Sequence, residues 1–108
     1  MVKAILRLFS LVDDTLSKPF DFNLENKTVT IGRSRENDIQ IPNGFLASHV
    51  SRKHGKIILE NGKVIYIDSS SQGTVYSGRF GMRLLRDGEK MELLDNDFIL
   101  LPMILTNT

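Results

Sequence analysis

Apolar and polar residues alternate with a period close to two along most of the chain, which is the pattern of half-buried β-strands. The segment Phe20–Leu24 shows this alternation clearly. The pair Asn61-Gly62 separates two such runs and predicts a hairpin with a type I′ turn, because both central positions of that turn need positive φ. We therefore predict strands over residues 4–12, 20–24, 28–31, 38–41, 56–60, 63–68, 82–85, 90–94 and 98–101.

The spacing of these segments favours an all-β sandwich, since no window has the periodicity of a long helix. Asp87-Gly88 and Asp95-Asn96 predict turns between the later strands. Pro42 and Pro102 are expected at strand edges or bends, where a missing N–H costs least. The longest apolar stretch is interrupted by Pro102 and falls short of the about 20 residues that a bilayer-spanning helix needs.

Composition narrows the function classes. The chain has 108 residues, the size of one domain. Its net charge of +1 argues against direct nucleic-acid binding, because such domains usually carry a clear basic excess. The absence of cysteine and the presence of only two histidines argue against a metal site. We expect a single soluble domain over residues 1–108, in the cytoplasm or nucleus, with no membrane partner and no cofactor.

Three turn regions carry more Arg, Ser and Thr than turns require, namely residues 31–38, 47–54 and 68–74. Guanidinium groups, hydroxyls and backbone N–H groups beside glycine are the donors that hold a phosphate group. The pattern alone does not show that the three regions meet, because consecutive loops of a simple meander lie at opposite ends of the sheet.

Each of these residues also fits a simpler interpretation. Gly32 and Gly73 suit turns that need positive φ. The serines can satisfy local backbone groups. The basic side chains can be solvated surface charges, which applies to Arg33, Arg35, Arg52 and Lys53.

The order and spacing of the motifs resemble the forkhead-associated (FHA) domain family. The matching elements are Gly32-Arg33, Ser51-Arg52-Lys53-His54 and Asp68-x-Ser70-Ser71-Gln72-Gly73-Thr74, with further similarity at 37–39 and 85–89. The resemblance covers about residues 28–101. It implies a β-sandwich of about eleven strands with peptide-binding loops at one end. It also implies a non-catalytic module that binds a phosphothreonine-containing protein or peptide, for signalling or assembly of a phosphorylated partner.

The resemblance assigns roles to individual residues. Arg33 would contact the phosphate from the end of the third strand, and the hydroxyl of Ser51 would donate to it. Arg52 would contact the phosphate or the peptide. Ser71 would lie beside the phosphothreonine, and Gln72 would face the peptide main chain. A structural role is implied for Gly32, His54, Gly73 and Thr74.

The chain departs from the family pattern at several positions. Gln72 stands where the family usually has Asn, and Ser77-Gly78 where it often has Asn-Gly. The loop over residues 42–49 is longer than is common and carries Phe45. Phe45 either folds back onto the sandwich or forms an apolar contact surface, so this loop is also a candidate for homo-oligomerisation. His49 is expected to be a solvated loop residue.

Two other functions compete with phosphopeptide binding. One is an FHA-fold domain that mediates phosphate-independent protein interaction or oligomerisation, as suggested by Gln72 and Phe45. The other is a hydrolase that uses Ser, His and Asp. The chain has no Gly-x-Ser-x-Gly elbow, and His54 follows Ser51 without an evident positioned carboxylate. We therefore expect no enzymatic activity.

Overall fold

A computed structural model describes residues 3–8, 18–25, 27–41 and 49–102 of the chain. These ranges contain ten strands and no helix. The strands are β1 (Lys3–Leu8), β2 (Lys18–Asn23), β3 (Val29–Gly32), β4 (Ile39–Gln40), β5 (Gly55–Glu60), β6 (Lys63–Asp68), β7 (Thr74–Gly78), β8 (Gly81–Leu85), β9 (Lys90–Glu92) and β10 (Phe98–Leu100).

The strands form three hydrogen-bonded groups in the described ranges. Five strands are ordered β4-β3-β5-β6-β9, three are ordered β10-β7-β8, and β1 pairs with β2. All pairings are antiparallel except that of β3 with β4, which is parallel. This architecture confirms the predicted all-β class.

The core lies between the five-stranded and the three-stranded sheet. Val29, Ile57 and Tyr66 from the first sheet and Tyr76 and Leu85 from the second belong to one buried cluster. Tyr66 and Tyr76 are the largest fully buried side chains in this cluster, and an aromatic side chain removes about 150–250 Å² from water. The packing of two sheets over this shared cluster gives the sandwich that the sequence pattern predicted.

The predicted hairpin at Asn61-Gly62 is confirmed. β5 and β6 pair antiparallel with Glu60 opposite Lys63, and φ is 53° at Asn61 and 77° at Gly62. Asn tolerates the left-handed region better than most residues, and Gly has no Cβ to clash there. The predicted turns at Gly88 and Asn96 also have positive φ, which allows the chain to reverse between β8, β9 and β10.

Strand β7 was not predicted from the sequence pattern. It is short, and only Val75 and Tyr76 interrupt a polar, Gly-containing stretch. It is nevertheless the central strand of its sheet, flanked by β8 and β10, and its Tyr76 is fully buried. Pairing on both edges, rather than local propensity, stabilises this strand.

Several predictions lie outside the described residues. These include the continuation of the first strand beyond Leu8, the position of Pro42, and the fate of Phe45 in the 42–49 loop. His49 is the one residue of that loop that the structure describes, and it is exposed. In the described ranges, no helix is long and apolar enough to cross a membrane.

Candidate functional site

The three Ser- and Arg-rich turn regions meet at one end of the five-stranded sheet. The parallel pairing of β3 with β4 is the reason, because it brings the carboxyl ends of both strands to the same edge. β5 begins at Gly55, and β6 ends opposite it at Asp68. The loops after β3, before β5 and after β6 therefore lie side by side, which a simple meander would not allow.

Backbone hydrogen bonds join the first region to the second. The N–H of Arg33 donates to the carbonyl of Ser51, and the N–H of Ser34 donates to the carbonyl of Arg52, each at 3.1 Å. These bonds join the two loops directly, beyond the ends of the strands. Arg33 and Ser51 are therefore held next to each other by main-chain hydrogen bonding.

Gly32 is required for this close approach. A Cβ at Gly32 would lie 2.1 Å from the carbonyl oxygen of Arg52, far inside van der Waals contact. The interpretation of Gly32 as a positive-φ turn residue is wrong, because the described positive-φ glycines do not include it. Gly73 does have positive φ, at 92°, as its place in a turn predicted.

Asn37 links the same two regions through its side chain. Its Nδ2 donates to the carbonyl of Ser34 at 2.8 Å and to the carbonyl of Arg52 at 2.7 Å. Sequence reasoning noted Asn37 only as part of the family pattern and assigned it no role. Its function as a clamp depends on Arg52, which is remote in the chain, so no local signal could reveal it.

The third region contacts the second through two serines. The N–H of Ser71 donates to Oγ of Ser51 at 3.1 Å, and the two Oγ atoms are 3.3 Å apart. Ser51 Oγ accepts this N–H, and either hydroxyl can be the donor in the contact between the two Oγ atoms. The arrangement places two hydroxyl groups side by side on an exposed rim.

His54 fixes Ser51 from below. The imidazole is fully buried, and its Nδ1 accepts the N–H of Ser51 at 3.0 Å. Nε2 therefore carries the proton, and it lies 2.9 Å from Thr74 Oγ1 and 3.1 Å from the carbonyl of Gly73. Burial lowers the pKa of His54, although the Gly73 carbonyl and the Asp68 charge oppose this effect.

A network of buried hydrogen bonds holds the third turn region, residues 68–74, in place. Thr74 Oγ1 donates to Asp68 at 2.7 Å, so it accepts from both His54 and the hydroxyl of Tyr66, which is 2.9 Å away. Ser70 Oγ also donates to Asp68 and accepts the N–H of Gly73 at 2.8 Å. Burial raises the pKa of Tyr66, so this phenol remains a donor. Every buried side-chain polar atom in the described residues has a partner.

A shallow, positively charged depression lies beside these serines. Its volume is about 300 Å³, and the residues that line it are Arg33, Ser34, Arg35, Gln40 and Arg52. The guanidinium of Arg33 is oriented by Nε, which donates to the carbonyl of Val50. Its two terminal nitrogens make no hydrogen bond within the described residues. Arg52 and Gln72 are exposed at the same end of the molecule.

The structure thus brings together the residues that the sequence singled out for binding. Arg33, Ser51 and Ser71 lie in adjoining loops, with Arg52 and Gln72 next to them. It does not bring His54 to the hydroxyl of Ser51, because both imidazole nitrogens are engaged elsewhere. A histidine in this arrangement cannot act as a general base on Ser51.

Comparisons with known proteins agree with this architecture. The family model described as "FHA domain" matches residues 29–102 of the chain. The comparison with curated proteins finds no match. The crystal structure of Rad53 1-466 is 30% identical over 68% of this chain, with a TM-score of 0.56. This chain spans only 18% of the length of that protein.

Two isolated domains give broader structural matches. The solution structure of an FHA domain from an Arabidopsis thaliana hypothetical protein is 26% identical, with a TM-score of 0.64, over 79% of this chain and 66% of that one. The N-terminal FHA domain of S. cerevisiae Rad53p, solved with a phosphothreonine peptide, is 22% identical, with a TM-score of 0.68, over 92% and 80%. With the family match extending over more than half of its length, the chain belongs to the FHA domain family.

Proposed function

We propose that this domain is a non-catalytic module that binds phosphothreonine-containing peptides at the rim formed by Arg33, Ser51 and Ser71. The observation that carries the proposal is the convergence of three loops on this rim. Ser71 N–H and Oγ lie 3.1 and 3.3 Å from Ser51 Oγ, and Ser51 is bonded through its carbonyl to Arg33. Such a set of donors suits a group with three acceptor oxygens and about −1.5 to −2 charges.

Each proposed role follows from the position of its side chain. Arg33, whose guanidinium is oriented by the Val50 carbonyl, presents its terminal nitrogens as a fork for two phosphate oxygens. Ser51 donates its hydroxyl hydrogen to a phosphate oxygen. Arg52 adds a second positive charge from the same depression. Gln72, exposed after Ser71, is placed to bond the main chain of the peptide.

Related structures support this ligand class. The N-terminal FHA domain of Rad53p was solved with a phosphothreonine peptide, and an engineered FHA domain was solved with the Myc-pTBD peptide. The engineered domain is 23% identical to this chain, with a TM-score of 0.69. The two imidazole nitrogens of His54 are bonded elsewhere, which favours a role of Ser51 in binding rather than hydrolysis.

The test is a titration with one peptide in phosphothreonine and unphosphorylated forms. Two or three charge-assisted hydrogen bonds predict a Kd of roughly micromolar order for the phosphorylated form and no measurable binding of the other. Arg33→Ala should weaken binding at least about tenfold. Arg79→Ala is the matched control, since Arg79 is exposed in the turn at the opposite end of β7. Equal binding of both peptides, or wild-type affinity in Arg33→Ala, would overturn the proposal.

The alternative, phosphate-independent interaction or oligomerisation, rests on Gln72 and on Phe45, and Phe45 lies outside the described residues. It stays a prediction with its own test. Light scattering of the wild type and of Phe45→Ser compares their oligomeric states. A monomer in both forms that binds phosphothreonine would argue against this alternative.

A further inference from the structure

The depression beside Arg33 holds more positive charge than one phosphate group requires. Three of its five lining residues are arginines, namely Arg33, Arg35 and Arg52, and none is acidic. A phosphothreonine of about −1.5 to −2 charges is already balanced by two of them. The whole chain has a net charge of only +1, so positive charge is concentrated at this place.

These arginines are not engaged by acidic side chains within the described part of the chain. Glu36, the nearest acidic residue in the sequence, lines a neighbouring depression together with Lys53 and Lys56. The ion pairs found in the described ranges are Lys27–Asp38, Arg83–Glu89 and Lys90–Glu60. Arg35 is therefore available to a ligand, and the adjoining lysines make the surroundings more positive still.

The shape of the depression leaves room for a second group. Ser51 and Ser71 do not line it, so a phosphate held between Arg33 and these hydroxyls lies at its edge. Arg35 and Gln40 line the remaining part, and Gln40 Nε2 donates to the carbonyl of Arg33 at 3.3 Å. A volume of about 300 Å³ is at the lower end of small-ligand sites and exceeds the needs of one phosphate.

We infer that the preferred ligand, given the proposed phosphothreonine binding on which this inference depends, carries a second anionic group that Arg35 binds. A guanidinium pairs with a carboxylate or a phosphate through two parallel N–H donors, so either group has the required chemistry. The ligand class is thus an acidic or doubly phosphorylated peptide segment rather than a neutral one with a single phosphothreonine.

The experiment compares affinities, measured by fluorescence anisotropy, across a matched set of peptides. The reference peptide carries one phosphothreonine in an otherwise neutral sequence. A second series places glutamate, and a third phosphoserine, at each of the positions flanking the phosphothreonine. The proteins are wild type, Arg35→Gln and Arg79→Gln, where the last removes the same charge at the opposite end of the fold.

We expect the second anionic group to raise the affinity of the wild type about fivefold at one or more positions, and to do so equally in Arg79→Gln. In Arg35→Gln this gain should fall below twofold. The more effective series identifies the group as a carboxylate or a phosphate. No gain at any position, or the same gain in Arg35→Gln, would overturn the inference while leaving phosphothreonine binding intact. Failure of the proposed function would give a different result from failure of this inference, because the reference peptide and its unphosphorylated form would then bind with equal affinity.

Discussion

The Nδ1 atom of His54 accepts the backbone N–H of Ser51 at 3.0 Å, while the carbonyl of Ser51 accepts the N–H of Arg33. Ser51 is thus held from the buried side by an imidazole and from the neighbouring loop by main chain. This relationship connects the interior of the domain to the exposed rim, because the other imidazole nitrogen faces Thr74 and Gly73. Stability and binding geometry therefore depend on the same buried ring.

Replacing His54 with alanine should strongly destabilise the domain. The substitution leaves the Ser51 N–H without its partner, removes a donor to Thr74 and opens a cavity. We expect the free energy of unfolding to fall by about 2–4 kcal/mol. Urea denaturation measures this, and His49→Ala, which affects an exposed histidine, should change it by less than about 0.5 kcal/mol. Similar losses in both variants would contradict the buried network.

The stability of the domain should decrease as the pH falls through the range just below 6.5. Burial lowers the pKa of His54 from its usual 6.5, so between those two values the unfolded chain binds more protons than the folded one. The contribution of neutral His54 to the free energy of unfolding is fully present above pH 6.5, and it is lost as the pH falls towards the lowered pKa. Urea unfolding at pH 7.5 and 5.5 should show this loss.

The matched variant for the pH experiment is His54→Ala, which cannot titrate at this position. Its free energy of unfolding should change less between the two pH values than that of the wild type. The pH range from 7.5 to 5.5 lies above the range in which carboxylates titrate, since unperturbed Asp and Glu have pKa values near 3.9 and 4.3. Identical pH dependence in the two proteins would show that His54 does not carry the effect.

Gly32→Ala should separate the first two loops of the rim. The new Cβ would lie 2.1 Å from the Arg52 carbonyl, so the backbone must shift, at a cost of about 1–3 kcal/mol. Phosphopeptide affinity should fall together with stability. The displaced Arg52 carbonyl accepts the N–H of Ser34, which is the residue next to Arg33. Gly62→Ala is the control, with φ of +77° but nothing within 4 Å of its Cβ. It should lose about 1 kcal/mol of stability through backbone strain and leave peptide affinity unchanged.

Gln72→Ala should weaken peptide binding without affecting the fold. The side chain is exposed and makes no hydrogen bond within the described residues, so thermal denaturation should differ little from that of the wild type. Loss of a hydrogen bond to the peptide main chain should reduce affinity about threefold to tenfold. Arg79→Ala, at the opposite end of β7, provides the comparison for affinity. Unchanged affinity in Gln72→Ala would mean that this amide does not reach the peptide.

Much of the strand pattern could be predicted because it depends on local chemistry. Asn61 and Gly62 adopt positive φ, as a type I′ turn requires, and the alternation before and after them placed β5 and β6 within one residue of their observed bounds. Strand β7 escaped prediction because its stability comes from β8 and β10 on either side. The clamp formed by Asn37 escaped for a similar reason, since its partner Arg52 is distant in the chain.

The amino-acid sequence alone is enough to predict the alternation that makes the chain all-β, the turns built on Asn and Gly, and the arginine and hydroxyl groups in three segments. That these segments meet depends on long-range pairing, because the parallel arrangement of β3 and β4 brings their loops to one end of the sheet. Contacts between distant parts of the chain also explain why Gly32 must lack a side chain, and they show which nitrogen of His54 carries the proton. Local propensity acts over a few residues, whereas these features are set by atoms that approach each other only when the two sheets have closed on their shared core.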